Sequence, residues 1–272
     1  MTGTLYVVAT PIGNLADSSP RSIEILRSAQ VIACEDTRTS RTLLAHHGIG
    51  ARTVALHAHN EREAGEKLLG VLRQGGNVAL VSDAGTPAVS DPGALLVAAA
   101  HREGLRVIPL PGPNAAIAAY CASGFDSDGF QFVGFLSTKK KAPFAELSVT
   151  RPVILYEAPL RVLRTVEALL EHFGAHREIV IAREISKKFE EVARMTLGAA
   201  PAWLAAGPHR QTGEFVLVLG PGEEKRPELA EGARVLGILL EHLPASEAAK
   251  LSSKITGIPR KELYAIAIKT VK

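Results

Sequence analysis

Short apolar runs alternating with amphipathic stretches set the plan of this chain. Thr4 to Val8 (TLYVV), Val31 to Cys34 (VIAC), Thr53 to His57 and Val78 to Val81 (VALV) are of the kind that strands buried on both faces show. Between them lie segments with helical spacing. One runs from about Pro20 to Ala29 and a second stops at Gly48. In a third, Ala64, Leu68, Val71 and Leu72 recur until Gly75-Gly76 ends the helix. A further run, Val107-Ile108-Pro109-Leu110, leads into an Ala-rich helix that reaches Tyr120. This alternation predicts a mostly parallel sheet within an α/β domain over residues 1–124.

The pattern changes at the polar turn between Gly124 and Gly129. The next strand, Phe130 to Phe135, alternates instead of running solidly apolar, which predicts a second, smaller α/β domain of mixed sheet over 125–222. Its expected elements are a Lys139-Lys140-Lys141 loop, strands at Val153 to Tyr156, Ile179 to Ala182 and Glu214 to Leu219, and the segment Phe189 to Leu197. A helix from Pro159 to His172 and a short one around Trp203 complete it. Over 225–272 only helical periodicity remains. A Gly257-Ile258-Pro259 turn separates a helix at Ser246 to Lys254 from one after Arg260, a helix–turn–helix-like tail.

Three Pro- and Gly-containing loops follow apolar runs: Ala9 to Leu15, Ser82 to Pro87 and Pro111 to Ala116. Small residues let a ligand approach the backbone, and in open α/β sheets ligands bind at the carboxyl ends of strands. Asp83 stands at such an end, where it either faces a ligand or caps the turn. Glu35-Asp36-Thr37-Arg38 reads equally as a helix cap or as an acidic pair beside a phosphate-binding arginine. Tyr156, Glu157 and Arg161, with Arg183, Glu184 and Lys187, put acids and bases at two strand ends, where structural ion pairs are the competing explanation.

Composition narrows the class. With 272 residues, 46% of them apolar, the chain can bury a sizeable core, and no apolar run approaches the roughly 20 residues of a membrane span. The start, MTGTLYVV, lacks the features of a signal peptide, so a cytoplasmic location is expected. Cys34 and Cys121 sit in apolar surroundings and are expected as buried free thiols, with no metal implied. The net charge of +3 is uneven. Residues 225–272 carry nine Lys or Arg against five Glu, an excess of +4, so the remainder carries −1. A basic tail suits a partner bearing phosphates, though it also serves solubility. No G-x-G-x-x-G follows a strand, and no G-x-x-x-x-G-K-[ST], H-E-x-x-H or G-x-S-x-G occurs, which argues against the usual dinucleotide, nucleotide, zinc-protease and hydrolase sites.

The segments VATPIGNLADSS, ACEDTRTSRTL, VALVSDAGTPAVSDPG, LPGPNAA and LYEAPLR, in this order, closely resemble the ribosomal RNA small-subunit methyltransferase I family, within the tetrapyrrole-methylase superfamily. The resemblance implies two α/β domains with S-adenosyl-L-methionine bound in the cleft between them, and a homodimer. It implies 2′-O-methylation of a cytidine ribose, cytidine 1402, in the decoding region of 16S rRNA in the small ribosomal subunit. By the same resemblance Pro11, Asp83, Ala84, Gly85, Thr86, Pro113, Asn114, Ala115, Ala116, Tyr156 and Glu214 are expected at the cofactor. From their own strand-end and loop positions, Asn14, His57, Asn60, Glu157, Arg161, Arg183 and Lys187 are expected at the RNA, and Glu35, Asp36 and Arg38 at the reacting hydroxyl. Asn114, Leu160, Ser186 and Met195 depart from the family's usual residues. The competing functions are a methylase of a tetrapyrrole or other small molecule, which SDAGTP in place of a Gly-Gly-Asp-Pro loop opposes, and a non-enzymatic RNA-binding module.

Overall fold

The computed structural model describes residues 1–137, 144, 146–222 and 229–270; the expected Lys139-Lys140-Lys141 loop lies outside them. The chain forms two compact units, Met1–Pro221 and Gly222–Lys272. In the first, β1 (Thr4–Val8), β2 (Val31–Cys34), β3 (Arg52–Ala55), β4 (Val78–Leu80) and β5 (Arg106–Leu110) make a parallel sheet in the order β3-β2-β4-β1-β5. The helices between them are α1 (Pro20–Ser28), α2 (Thr37–His46), α3 (Glu61–Arg73) and α4 (Ala94–Arg102).

Because strand side chains alternate, each apolar run serves two cores. Val31 and Ala33 pack with Leu68, Leu72, Leu96 and Ala100 of α3 and α4, whereas Ile32 and Cys34 pack with Leu26 and Leu44 of α1 and α2. The connections after β1 and β2 therefore leave on one face and those after β3 and β4 on the other. That reversal, at the carboxyl ends of β1, β2 and β4, is where open α/β sheets leave a crevice.

A second sheet follows, built from β6 (Gln131–Phe135), β7 (Val153–Glu157), β8 (Glu178–Arg183), β9 (Glu191–Thr196) and β10 (Phe215–Leu219). It is mixed: in the order β6-β7-β10-β8-β9 only β6 and β7 run parallel. Helices α6 (Val162–Phe173) and α7 (Ala200–Ala205) cover one face through Val166, Leu169 and Leu204. On the other face Ile154, Val180, Val216 and Val218 meet Ala116 and Ala119 of α5 (Ala115–Ser123). So α5 follows the first sheet in sequence but packs on the second, and its small residues allow the close approach.

Two expectations are corrected. The helix expected from Pro159 begins at Val162, because Pro159 and Leu160 lie in a turn closed by the Arg161 N–H on the Ala158 carbonyl at 2.9 Å. Cys121 is free but exposed, since α5 turns Ala116, Ala119 and Ser123 inward; only Cys34 is a buried thiol. The segment Phe189 to Leu197, given no type from the sequence, contains a strand over Glu191–Thr196 and leaves Phe189 exposed.

In the second unit α8 (Leu229–Leu240), α9 (Ala245–Thr256) and α10 (Arg260–Thr270) share a core of Leu236, Ala248, Ala249, Ile258, Leu263 and Ala267. Gly257, left-handed at φ 73°, ends α9 and sets up the turn into α10. No helix among the described residues is long and apolar enough to cross a membrane.

Candidate functional site

Three strand-end loops of the first sheet are sewn together. Thr10 and Gly85 exchange backbone hydrogen bonds of 2.9 and 3.0 Å, and the Thr10 hydroxyl donates to the Ser82 carbonyl at 3.2 Å. The Thr86 hydroxyl donates to the Pro113 carbonyl at 3.1 Å, and the Asn114 amide reaches Thr86 Oγ1 at 3.4 Å. Asn114 Oδ1 accepts from the Ile117 N–H and so caps α5. Gly112 permits the approach to the first loop, because a Cβ there would lie 2.8 Å from that of Ala9.

These loops wall one side of a cavity of about 420 Å³, and the second sheet walls the other. Ile12, Asp83 to Thr86, Val89 to Asp91, Asn114 and Ala115 face Phe135, Tyr156 to Pro159, Ile185 and Glu214 to Val216. Of the residues expected at the cofactor, Asp83, Ala84, Gly85, Thr86, Asn114, Ala115, Tyr156 and Glu214 line it, and Glu157, expected at the RNA, lines it too. Pro11, Pro113 and Ala116 stand behind the wall: Pro11 precedes Ile12, Pro113 anchors Thr86, and buried Ala116 offers its N–H to the Tyr156 hydroxyl. Burial pushes that hydroxyl's pKa up. Ile12, Val89, Ser90, Asp91, Phe135 and Ile185 were not anticipated. Val89 to Asp91 stand within the SDAGTPAVSDPG segment, which was the available signal; Phe135 and Ile185 reach the site only through the second sheet's topology.

Acidic groups crowd the edge of the cavity. Asp83 Oδ1 accepts from the Asp36 N–H at 3.0 Å. Asp36 caps α2 through the Arg38 N–H at 2.8 Å and pairs with the Arg38 guanidinium at 2.7 Å, which brings its carboxyl down to about 2. Glu35 is pushed up, first by burial and then by Asp91, Asp83 and Asp36. None of Glu35, Asp36 and Arg38 lines the cavity. Asp91 does, and burial raises its carboxyl as well, with the Ser82 hydroxyl opposing and Asp83 adding to the shift. Among the described residues no group of three or more His, Cys, Asp or Glu is arranged to hold a metal.

On the second sheet the expected charges are largely engaged. Glu157 is buried and takes the Ala158 N–H and the Thr165 hydroxyl, each at 2.7 Å, and Arg161 at 2.7 Å. Arg183, also buried, donates to the Thr212 carbonyl at 2.7 Å and the Phe189 carbonyl at 3.0 Å. Lys187 bridges Glu184 at 2.9 Å and Glu214 at 3.1 Å. Its stem lies against Gly13, where a Cβ would collide with Lys187 Cγ, and the neighbouring Ser186 hydroxyl donates to Asp17. Ala88, Glu184 and Ser186, the non-glycine residues of positive φ among the described residues, all fall in the two loops that flank the cavity. Asn14 caps a short turn through the Ala16 N–H. Asn60 holds the His57 N–H at 2.8 Å and the Ala55 carbonyl at 3.1 Å, away from the cavity wall.

The same architecture recurs in known proteins. Ribosomal RNA small subunit methyltransferase I of Xylella fastidiosa is 48% identical over 96% of this chain and 98% of its own length. That of Pseudomonas aeruginosa is 44% identical over 98% and 97%. The chain belongs to the ribosomal RNA small subunit methyltransferase I family. Consistent with that family, the description "Tetrapyrrole (Corrin/Porphyrin) Methylases" matches residues 4–201 and "RsmI C-terminal HTH domain" matches 226–270. Among solved structures, cobalt precorrin-4 methyltransferase CbiF covers 80% of this chain and 94% of its own at TM-score 0.60 and 17% identity. Uroporphyrin-III C-methyltransferase from Thermus thermophilus, solved with S-adenosyl homocysteine, covers 80% and 97% at TM-score 0.55 and 19% identity. The methyltransferase I family thus shares the tetrapyrrole-methylase fold.

Proposed function

We propose that this chain is the S-adenosylmethionine-dependent enzyme that methylates the 2′-hydroxyl of a cytidine ribose, cytidine 1402, in 16S rRNA of the small ribosomal subunit. The observation that carries this reading is similarity at 48% identity over nearly the full length of both chains to a methyltransferase named for that RNA. The cavity suits the cofactor: about 420 Å³, apolar at Phe135 and Ile185, acidic at Asp83 and Asp91, and open to backbone at Gly85. S-adenosylmethionine, when bound, supplies a methyl group on an electrophilic sulfonium.

The chain's own residues then bind and orient. Asp83, Ala84, Gly85, Thr86, Asn114, Ala115, Tyr156 and Glu214 form the cofactor wall, stiffened from behind by Pro11, Pro113 and Ala116. A ribose hydroxyl is a poor nucleophile until it begins to lose its proton, and displacement needs it aligned. Glu35, Asp36 and Arg38, at the neighbouring strand end, are assigned to that side. Asp36 fixes the α2 terminus and holds the Arg38 guanidinium at 2.7 Å, and Arg38, with its side chain 85% exposed, would meet a phosphate from that pair. Asn14, His57, Asn60, Arg161 and Lys187 are assigned to the RNA. Glu157 and Arg183 act through the loops they hold. Solvent-facing Leu95, Leu160 and Phe189 support assembly as a homodimer, and a ribosomal substrate supports a cytoplasmic location. Mass-spectrometric mapping of 16S rRNA from cells with and without the chain tests the function. Loss of one 2′-O-methylcytidine in its absence is expected, and an unchanged map contradicts the proposal.

A further inference from the structure

We infer that Asp91 holds the positively charged amino group of the cofactor's methionine portion and so determines specificity for the amino-acid end of the ligand; this rests on the cofactor reading above. Asp91 lines the cavity, half-buried, on a loop held at both ends. Ala88, at φ 64°, turns the chain back before it, a backbone that is retained only where its surroundings impose it. After it the N–H groups of Gly93 and Leu95 both donate to Glu61 Oε1 at 2.9 Å. A Cβ on Gly93 would lie 2.7 Å from Leu80 Cδ2, so the loop is pressed onto the end of β4.

Among the described residues Asp91 has no cationic partner. Arg38 is paired with Asp36, and the acids beside Asp91, which are Asp83 and Glu35, are themselves without an ion pair among the described residues. A carboxylate taken partly out of water without a counter-charge is costly, and a cationic ligand removes that cost. Asp83 is more exposed and accepts from the Asp36 amide, and Glu35 does not reach the wall. The facing surface at Phe135 and Ile185 is apolar and suits an uncharged nucleoside. Glu157 and Glu214 also line the cavity but are paired with Arg161 and Lys187, which leaves Asp91 as the partly buried anion on the wall for the ligand's ammonium.

The test is calorimetry on the full chain and on Asp91→Asn with three probes: S-adenosylmethionine, S-adenosylhomocysteine and 5′-methylthioadenosine, which lacks the amino-acid end. Loss of a charged hydrogen bond weakens the first two roughly tenfold or more and leaves the third unchanged. Weakening of S-adenosylmethionine alone overturns the inference in favour of a contact with the sulfonium, equal weakening of all three makes Asp91 a cavity-shaping residue, and no change removes it from the site. Should Asp91→Asn fail to fold, Asp91→Ser is read by the same pattern. An unmutated chain that binds neither S-adenosylmethionine nor S-adenosylhomocysteine overturns the cofactor reading itself, a result distinct from loss in the variant alone.

Discussion

Thr10 and Gly85, 75 residues apart, exchange both of their backbone hydrogen bonds, so the loops after β1 and β4 form a single wall. Gly85 sits at φ 79°, and a Cβ there would stand 3.3 Å from Ile12 Cγ2. Gly85→Ala is therefore expected to cost about 1 kcal/mol in urea denaturation through backbone strain alone. Its effect on cofactor affinity is expected to be larger than its effect on stability, because Ile12 is pushed into the cavity. Calorimetry with S-adenosylhomocysteine checks this, and unchanged affinity removes Gly85 from the binding surface.

Glu157 is a second joint. Its carboxylate collects the Ala158 N–H, the Thr165 hydroxyl and Arg161 at the turn into α6. Glu157→Ala strands those groups and is expected to destabilise the chain by about 2 kcal/mol or more in guanidinium denaturation. Glu157→Gln keeps the size and part of the bonding and should lose less. Equal losses in the two variants would show that shape matters there and charge does not.

Both joints show where reading the sequence succeeds and where it stops. Val78 to Leu80 announces a strand by apolarity, and Ser82 to Pro87 announces a loop by Gly and Pro, so the parallel sheet and half of the cavity wall are legible from local pattern. Phe135 and Ile185 are not, because they meet the cavity only when β6 and β8 take their places in a sheet of order β6-β7-β10-β8-β9. Charge at a strand end was visible at Glu157 and Arg183, but its use was not: whether an arginine faces solvent or clips two loop carbonyls depends on partners 6 and 29 residues away. Cys121 misled because an Ala-rich helix has no strong apolar stripe to tell its buried face from its exposed one.

Asp36 gives a pH-dependent test. Its carboxyl titrates at about 2 when folded, below its usual 3.8, so its contribution to stability is complete above about pH 4 and is lost as pH falls through about 2. Asp36→Ala should melt at a lower temperature than the unmutated chain at neutral pH, and the gap should close as the pH approaches 2. A gap that is constant across that range would mean the cap does not depend on the charge.

The basic residues of the second unit provide a test of RNA binding. Lys250, Lys254, Arg260 and Lys261 are all exposed. If they meet phosphates, replacing the four with Gln lowers affinity for small ribosomal subunits and flattens its salt dependence by roughly 0.7–0.9 log units per log unit of salt for each phosphate no longer neutralised. An identical slope assigns these charges to solubility, while cofactor affinity should be unaffected in either case.

The most direct measurement is a single-turnover reaction of the full chain with methyl-labelled S-adenosylmethionine and small ribosomal subunits, followed by digestion of the 16S rRNA to nucleosides. The account predicts label in 2′-O-methylcytidine, one per subunit, and loss of that label in Gly85→Ala. Label on a base, label on a tetrapyrrole offered in the same reaction, or no transfer to RNA would contradict it.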